Sequence, residues 1–302
     1  MSEAKLVLVT GATGKQGGAV VEALLARGHQ VRALTRNPAS PAAIRLREQG
    51  VEIAVGDFTD DDSLVRAIRG ADAVYAMSTP YEQGPEKEIA QGMTITDAAK
   101  AAGVAHFIYS SVASANRATG ISHFDGKYAV EKHLQASGIP YTIVAPVFFM
   151  ENLLQPWTLS GLRQGKLGMA LPASRSLQQI GVADIGAFVA AVIERLDAVF
   201  GRRFDIAGDE LTGEEAAAIL SKVTGRGVHY EGFPPDVSSS TKSATSRWSC
   251  SPSSSAFCRS RSSSGWEALG PSAWTCGWWR PRTATWHKWW RKANSAATCI
   301  TA

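Results

Sequence analysis

The sequence lacks a long apolar run, and its start lacks the basic and apolar segments of a secretion signal. A membrane-spanning helix needs roughly 18 or more consecutive apolar residues, and a signal peptide needs a basic region followed by an apolar one. Residues 1–14, MSEAKLVLVTGATG, run instead directly into a strand pattern. We therefore expect a cytoplasmic protein with no membrane partner.

Residues 238–302, the tail, have almost no aliphatic side chains; Leu269 and Ile300 are their only Leu, Ile or Val. The tail holds all four cysteines, eight of the nine tryptophans, 16 serines and 9 basic residues against one acid, Glu267. This composition cannot build a core and has neither the helical nor the strand period, which predicts disorder. We favour the hypothesis that the gene is read out of frame from near Val237. The alternative is a cationic tail that binds a membrane or nucleic acid, but its Trp and Arg are not segregated onto faces.

The rest of the chain has no excess of positive charge. The whole sequence holds 31 basic and 27 acidic residues, whereas residues 1–237 hold 22 basic and 26 acidic ones. This balance argues against a nucleic-acid partner for the folded part. The cysteines lack C-x-x-C spacing and the histidines are scattered, so the sequence indicates neither a metal site nor a disulfide framework.

Short β-branched apolar runs alternate with segments of helical period from residue 5 onward, which is typical of βαβ units. We predict strands at Lys5–Thr10, Gln30–Thr35, Val51–Val55, Ala73–Ala76, His106–Ser110 and Tyr141–Ala145. We predict helices at Lys15–Ala26, Pro41–Glu48, Asp61–Ile68, Lys87–Ala102 and Asp125–Ala136, several of them ended by glycine. This pattern predicts an α/β fold, a doubly wound parallel-sheet Rossmann domain over residues 1–150.

Beyond Pro146 the pattern loosens. A helix is expected at Leu153–Gly165, a second helix opening at Asp184, a strand in RRFDIAG (202–208), and a helix over 212–225 whose Thr212 and Glu215 form a capping box. We interpret residues 151–237 as a small C-terminal α/β lobe on the substrate side that partly returns to the sheet.

The sharpest motif is the turn between the first strand and the first helix, in VLVTGATGKQGGAVVEALL. Its glycines let the backbone approach a pyrophosphate, whose charge then faces the N–H groups and positive end of the helix. A tight turn without a ligand is the alternative. The candidate cofactor-binding residues of this turn are Gly11, Thr13, Gly14, Lys15, Gln16 and Gly17.

The end of the second strand carries Thr35-Arg36-Asn37, where an NAD enzyme places an acid on the ribose 2′-hydroxyl. A guanidinium suits the 2′-phosphate of NADP, so we expect NADP(H) to be preferred over NAD(H), with a solvated surface arginine as the alternative. Other strand ends complete the predicted cleft, because ligands bind at the carboxyl edge of a parallel sheet. Their candidates are Asp57 and Phe58 for adenine, Ser78, Thr79 and Ser110 for ribose and nicotinamide, and Pro146.

The segments GATGKQGG, LTRNP, GDFTD, YSSV, SHFDGKYAVEKHL, GIPYTIVAP and FFMEN occur in this order. With them the chain resembles the NmrA-like family of atypical short-chain dehydrogenase/reductases over about residues 5–235. The resemblance implies a Rossmann domain with a small C-terminal lobe and a preference for NADP(H). It also implies one of two functions, since some members reduce quinones, dyes or phenylpropanoid substrates and others are non-catalytic regulators.

Within this resemblance, Lys127 matches a lysine that contacts the nicotinamide ribose and can transfer a proton. The alternative, an exposed lysine in the first turn of a helix, is disfavoured because such a cation opposes the helix dipole. Tyr128 and Lys132 fit the Y-x-x-x-K pair of ordinary short-chain dehydrogenases, in which a serine, here Ser110 or Ser111, orients the carbonyl. Lys127 and Lys132 are about 500° apart on a helix and cannot both enter one cleft, so we rank Lys127 first.

The function expected is therefore an NADPH-dependent oxidoreductase that transfers hydride to a quinone, enone or similar small acceptor. The alternative is a non-catalytic NADP(H)-sensing regulator that binds a protein partner. Tyr128, Lys132 and the two serines favour the enzyme, since a sensor has no need of them. We expect His123, beside Phe124, to be a surface histidine, with a place in the lining of the substrate mouth as the alternative.

Overall fold

The computed structural model describes residues 3–78, 84–232 and 278–279. The chain divides into two compact units, one of residues 1–152 with 179–208 and one of residues 153–178 with 209–302. The first unit thus takes up a segment, 179–208, that lies beyond the boundary predicted at residue 150. Thr79 and, apart from 278–279, the tail lie outside the described residues, so the expectations for them stay predictions.

The secondary structure alternates between strands and helices along most of the chain. The strands are β1 (Leu6–Val9), β2 (Gln30–Thr35), β3 (Glu52–Val55), β4 (Ala73–Ala76), β5 (His106–Ser110), β6 (Tyr141–Pro146), β7 (Phe148–Phe149), β8 (Lys166–Met169), β9 (Ser176–Ile180), β10 (Arg202–Ile206), β11 (Asp209–Thr212), β12 (His229–Gly232) and β13 (Trp278–Trp279). The helices are α1 (Lys15–Leu25), α2 (Pro41–Glu48), α3 (Asp61–Ile68), α4 (Pro85–Ala101), α5 (Ser122–Ser137), α6 (Pro156–Arg163), α7 (Val182–Glu194), α8 (Leu196–Val199) and α9 (Gly213–Thr224).

Seven parallel strands form the central sheet of the first unit, in the order β10-β6-β5-β4-β1-β2-β3. The predicted doubly wound Rossmann-like fold is confirmed. Strands β4 and β5 are buried along their whole length, as expected for inner strands of a parallel sheet that is covered on both faces. The strand order reverses between β1 and β4, so the crevice for a ligand opens at their carboxyl ends.

Local signals explain where the helices begin and end. Ser40 accepts a hydrogen bond from the Ala43 N–H with Pro41 in the first turn, and Asp60 caps α3 in the same way. The C-cap Gly138 of α5 has a φ of +80°, a left-handed conformation that glycine adopts without strain. Helix α5 begins three residues before the predicted start, at Ser122.

Two elements from the predicted C-terminal lobe belong to the first unit. Helix α7 packs on α1 at Gly186, where an added Cβ would lie 2.3 Å from the Ala19 carbonyl oxygen. Strand β10 pairs with β6 in parallel, with Phe204 opposite Val144. Strand β10 brings Arg203 beside the end of β5, where it donates to the Val112 carbonyl. The predicted domain boundaries stay predictions.

The second unit contains α6, β8, β11, α9 and β12, with β8 and β12 paired in parallel. The capping box of Thr212 and Glu215 at the start of α9 is confirmed. The helix predicted at Leu153–Gly165 is found as α6, but it is shorter, at Pro156–Arg163, because a 3₁₀ turn at Met150–Leu154 precedes the proline that starts it. Within the described ranges, no helix is both long and apolar enough to cross a membrane.

His106 is buried in β5 as an uncharged ring. The Thr142 hydroxyl donates to the Val199 carbonyl at 2.9 Å, so it accepts from His106 Nε2, which lies 2.9 Å away. His106 Nδ1 has no hydrogen-bond partner among the described residues. Burial lowers the pKa of His106 to about 3, and the charge of Lys5 acts in the same direction.

The free energy of unfolding is expected to fall as the pH drops below about 6.5, because the unfolded chain then binds a proton at His106 that the folded chain excludes. Each pH unit in this window, which extends down to about 3, lowers stability by up to about 1.4 kcal/mol. Urea unfolding at pH 7 and pH 5 measures the effect. His106→Gln keeps a hydrogen-bonding side chain but cannot titrate, so it should lose most of this dependence, whereas the same change at exposed His229 should preserve it. Equal pH dependence in the two variants would show that His106 does not cause the loss of stability at low pH.

Candidate functional site

The glycine turn lies between β1 and α1, with Gly11, Thr13, Gly14 and Lys15 exposed on it. Gly11 has a φ of +61°, and its position beside the Met77 side chain leaves no room for a Cβ. The N-cap of α1 is Gly14, and no side chain caps this end of the helix. The first N–H groups of α1 are therefore available to an anion at the surface of the turn.

Gly17 shows that the turn is built for close backbone approach. A Cβ at this position would lie 2.2 Å from the Gly11 carbonyl oxygen and 2.5 Å from the Gly11 carbonyl carbon. Only glycine lets α1 start this close to the end of β1. The uncapped helix start, the tight glycine turn and the exposed Lys15 together fit a dinucleotide pyrophosphate.

Arg36 directly follows β2 and is exposed, with Asn37 next to it instead of an acid. Its charge acts on the Asp57 carboxylate, after β3. Asp57 accepts hydrogen bonds from the Thr59 N–H at 2.8 Å and the Thr59 hydroxyl at 2.7 Å. These bonds lower the pKa of Asp57, and the charge of Arg36 contributes in the same direction. The Asp57 carboxylate is thus held by hydrogen bonds within its own turn. The 2′-phosphate role of Arg36 stays a prediction.

Two further candidates are engaged in packing. Phe58 is half-buried and packs against the core of the first unit. Pro146 is buried at the end of β6, and its carbonyl accepts a hydrogen bond from the Ala113 N–H at 3.0 Å. Their predicted contacts with a cofactor remain predictions.

Gln16 and Ser110 are brought together beneath the turn. Both are buried, and Gln16 Nε2 donates to Ser110 Oγ at 2.7 Å. Tyr75, from β4, is buried beside them, and its burial raises the pKa of its hydroxyl. Gln16 therefore connects the glycine turn to the end of β5, where the sequence places the nicotinamide.

Lys127 is buried on α5, with its ammonium at the carboxyl ends of β4 and β5. Its Nζ donates to the Ser78 carbonyl at 2.7 Å and to the Ser110 carbonyl at 3.2 Å. A third partner is Glu88 Oε1 at 3.1 Å. The alternative of an exposed first-turn lysine is wrong, because α5 starts at Ser122 and only 4% of Lys127 is exposed.

The environment of Lys127 suits a proton donor. Burial lowers the pKa of its ammonium, while the carboxylates of Glu88 and Glu131 oppose this shift. The ring of Tyr109 lies 5.2 Å from Nζ, measured to its centroid. Burial shifts the pKa of a lysine, which suits a buried lysine to proton transfer better than a solvated one.

Glu88 is a member of this site that sequence reasoning missed. It lies in the first turn of α4 and is fully buried between Lys127 and His123, whose Nδ1 lies 3.1 Å from Glu88 Oε2. Gly126 lets α4 and α5 approach, since a Cβ there would meet Ile89 at 3.3 Å. Nothing in the sequence near residue 88 marks this carboxylate as buried, because it belongs to a polar run, EKE.

A second buried carboxylate, Glu131, was also missed. It accepts a hydrogen bond from the Ser111 hydroxyl and one from Arg203 Nε at 3.0 Å. Arg203 also donates to the Val112 carbonyl at 2.9 Å. The spacing of Lys127 and Glu131, four residues apart on the apolar face of α5, was the available signal. The Ser111 hydroxyl donates to Glu131 and is therefore not free to donate to a substrate carbonyl, whereas Ser110 Oγ accepts from Gln16, a bond that does not use its own O–H.

Tyr128 and Lys132 contact each other rather than Lys127. Lys132 is exposed, and its Nζ lies 5.2 Å from the centroid of the half-buried Tyr128 ring. The lysine of the Y-x-x-x-K pattern thus lies at the surface while Lys127 is buried, in line with the expectation that both cannot enter one cleft. The geometry brings Lys127, Ser78 and Ser110 together and leaves Lys132 outside this group.

Comparison with known proteins places this fold and site in a family. Residues 3–245 match the model of the NmrA-like family. The chain belongs to the NmrA-like family. The match ends close to the change of composition after Val237, and the out-of-frame hypothesis remains a prediction that the DNA sequence tests.

Relatives of this NmrA-like chain cover about three quarters of it. It is 32% identical over 232 residues to quinone oxidoreductase 2 of Escherichia coli, covering 75% of this chain and 77% of the relative. It is 32% identical over 228 residues to the NAD(P)H azoreductase of Xenophilus azovorans, covering 74% and 76%. Among solved structures, Citrobacter triphenylmethane reductase complexed with NADP(H) has a TM-score of 0.67 at 26% identity, covering 76% of this chain and 79% of that one. The negative transcriptional regulator NmrA in complex with NADP, at 22% identity and a TM-score of 0.66 over 76% and 74%, shows a shared fold alone.

Proposed function

We propose that this chain is an NADPH-dependent reductase that transfers hydride to a quinone, enone or similar small acceptor. Its relatives are named as reductases and oxidoreductases of quinones and azo compounds, so an NAD(P)H-dependent oxidoreductase is the coarser statement on which they agree. The observation that carries the finer proposal is the buried ammonium of Lys127 at the carboxyl ends of β4 and β5. A buried cation at the predicted nicotinamide end of a Rossmann crevice is placed to neutralise a developing oxyanion.

The residues of this chain have separate tasks in the proposed reaction. The glycine turn and the start of α1 would hold the pyrophosphate, and Arg36 would hold the 2′-phosphate. The dinucleotide, when bound, supplies the hydride. Gln16 fixes the position of Ser110, whose carbonyl and that of Ser78 orient the Lys127 ammonium. Lys127 holds a proton at Nζ and gives it to the oxygen or carbon of the acceptor that becomes anionic on reduction.

A non-catalytic NADP(H)-sensing regulator is the second candidate. The likeness to the regulator NmrA supports a shared fold and goes no further. The direct pairing of Lys127 with a buried carboxylate favours the reductase, because dinucleotide binding alone needs no proton donor at this position.

The proposal is tested by following NADPH and NADH absorbance when the purified protein meets a panel of quinones, enones and azo dyes. We expect NADPH to be consumed faster than NADH at equal concentrations. Binding of NADPH without consumption by any acceptor would instead support the sensor. Absence of binding to either dinucleotide would overturn both.

The cofactor preference is expected to depend on Arg36. Arg36→Ala should reduce the NADPH preference by about tenfold to hundredfold, because one charge-assisted contact contributes roughly 1.5–3 kcal/mol. Lys132→Ala, another exposed cation, is the matched control and should leave the ratio of kcat/KM for NADPH and NADH unchanged. An unchanged ratio in Arg36→Ala would contradict the 2′-phosphate role.

A further inference from the structure

We propose that His123 and Glu88 form a proton relay that returns protons from solvent to Lys127 after each turnover. The relay is a chain of three titratable side chains in direct contact. His123 Nδ1 lies 3.1 Å from Glu88 Oε2, and Glu88 Oε1 lies 3.1 Å from Lys127 Nζ. This inference rests on the proposed reductase function and adds His123 and Glu88 to it.

Of the three side chains, His123 is the most exposed to solvent. The His123 side chain is 34% exposed, Glu88 is 0% exposed and the Lys127 side chain is 6% exposed. A proton donor buried to this degree does not exchange freely with water, and one proton is consumed for each hydride delivered. His123 contacts the buried pair and is partly exposed to solvent, so its ring can exchange protons with water.

The other groups that face Lys127 cannot replace this route. The carbonyls of Ser78 and Ser110 accept hydrogen bonds from Nζ but carry no proton, and the Ser78 hydroxyl, 3.5 Å from Nζ, is not a titratable group in the neutral range. Tyr109, from β5, has a hydroxyl whose pKa is raised by burial. Glu131, on α5, accepts hydrogen bonds from Ser111 and Arg203 instead of contacting Lys127. Among the described residues, Glu88 is thus the acidic group that forms an ion pair with Lys127 Nζ, at 3.1 Å.

The proton balance of the relay is simple. After Lys127 has given a proton to the acceptor, the Nδ1–H bond of the His123 imidazolium breaks as an O–H bond forms at Glu88 Oε2. A half-turn of the carboxyl group brings this proton to the Lys127 side, where the O–H bond breaks as the third Nζ–H bond forms. Glu88 is a carboxylate again once this O–H bond has broken. His123 regains its proton from hydronium or a buffer acid in the solvent, so the net change is one proton moved inward.

The experiment separates the first turnover from later ones. In His123→Ala, the first NADPH oxidised per site should keep the wild-type rate, because Lys127 still holds a proton, and later turnovers should slow by about tenfold or more. Imidazole added to the buffer should restore the later turnovers. His123→Gln keeps a donor to Glu88 but carries no extra proton, so it should show the same slow phase in a well-folded protein.

His133→Ala is the matched control. His133 bridges the same two helices by pairing with Asp97 at 2.7 Å, and its side chain is 32% exposed, but it does not contact the Lys127 site. This variant should show neither the slow phase nor a response to imidazole. A His123→Ala enzyme that turns over as His133→Ala does, or that imidazole fails to restore, would overturn the relay.

A second readout does not depend on activity. The ¹⁵N chemical shifts of the His123 ring at neutral pH should move in Lys127→Met, because the Glu88 carboxylate then has His123 as its remaining cationic partner, while the His133 ring should be unaffected. Unmoved His123 shifts would overturn the connection whether or not the protein is a reductase. If the His123 shifts move but the protein consumes no NADPH, the proposed function is refuted. The electrostatic connection between His123, Glu88 and Lys127 is then still supported.

Discussion

Lys127→Met is expected to lower kcat by about 10²- to 10⁴-fold, the usual loss when a positioned general acid is removed. The same change should destabilise the fold by about 3–5 kcal/mol, because it removes the buried ammonium from the fully buried carboxylate of Glu88 and leaves it only the partly exposed His123. NADPH oxidation with the best acceptor measures the first effect, and urea unfolding measures the second. The two effects have different causes and can be separated.

The double variant Lys127→Met with Glu88→Gln makes this separation. It removes both charges, so much of the lost stability should return, whereas kcat should stay low because no ammonium remains at the carboxyl ends of β4 and β5. Recovery of kcat together with stability would show that Lys127 acts only as a structural cation. Loss of stability without loss of kcat in the single variant would lead to the same conclusion.

The sheet of the first unit could be predicted because its signals are local. Each strand is an apolar run bounded by a turn, and β1 to β6 agree with the predicted strands to within one residue at each end. The glycine turn was recognised for the same reason, since strand, turn and helix are contiguous. The return of β10 to the edge beside β6 depends on pairing between segments about 60 residues apart, and no local pattern specifies such a pairing.

Of the candidate site, too, only the residues in a local sequence motif could be predicted. Lys127 was found through a contiguous motif, whereas its partner Glu88 lies 39 residues earlier on another helix. Whether a glutamate is buried depends on what packs against it, and here the decisive features are Gly126 and Gly92, which let α4 and α5 come close. A Cβ at Gly92 would lie 2.6 Å from Val130, and these glycines carry no sequence signal beyond their small size. Buried charge networks of this kind are set by tertiary contacts, so single-sequence reasoning cannot reach them.

The second large effect is expected at Gly17. Gly17→Ala puts a methyl group 2.2 Å from the Gly11 carbonyl oxygen and 2.8 Å from the Ala12 nitrogen, so α1 must move away from the turn. Overpacking of this kind costs about 1–3 kcal/mol of stability. Displacement of the helix start should also remove two or more charge-assisted contacts with the pyrophosphate, each contributing roughly 1.5–3 kcal/mol, and raise the Kd for NADPH by about 100-fold or more.

Gly18→Ala provides the control from the next position of the same helix. Its Cβ would lie 3.4 Å from the Ala12 carbonyl oxygen, an ordinary contact, and its backbone is helical. Replacing a glycine inside a helix by alanine stabilises by about 1 kcal/mol, so this variant should bind NADPH normally and unfold at higher urea concentration. Fluorescence titration measures the Kd of both variants for NADPH, and urea unfolding measures their stability. If the two alanines have equal affinity for NADPH, the close approach at Gly17 serves helix packing alone, and the pyrophosphate does not depend on the position of this turn.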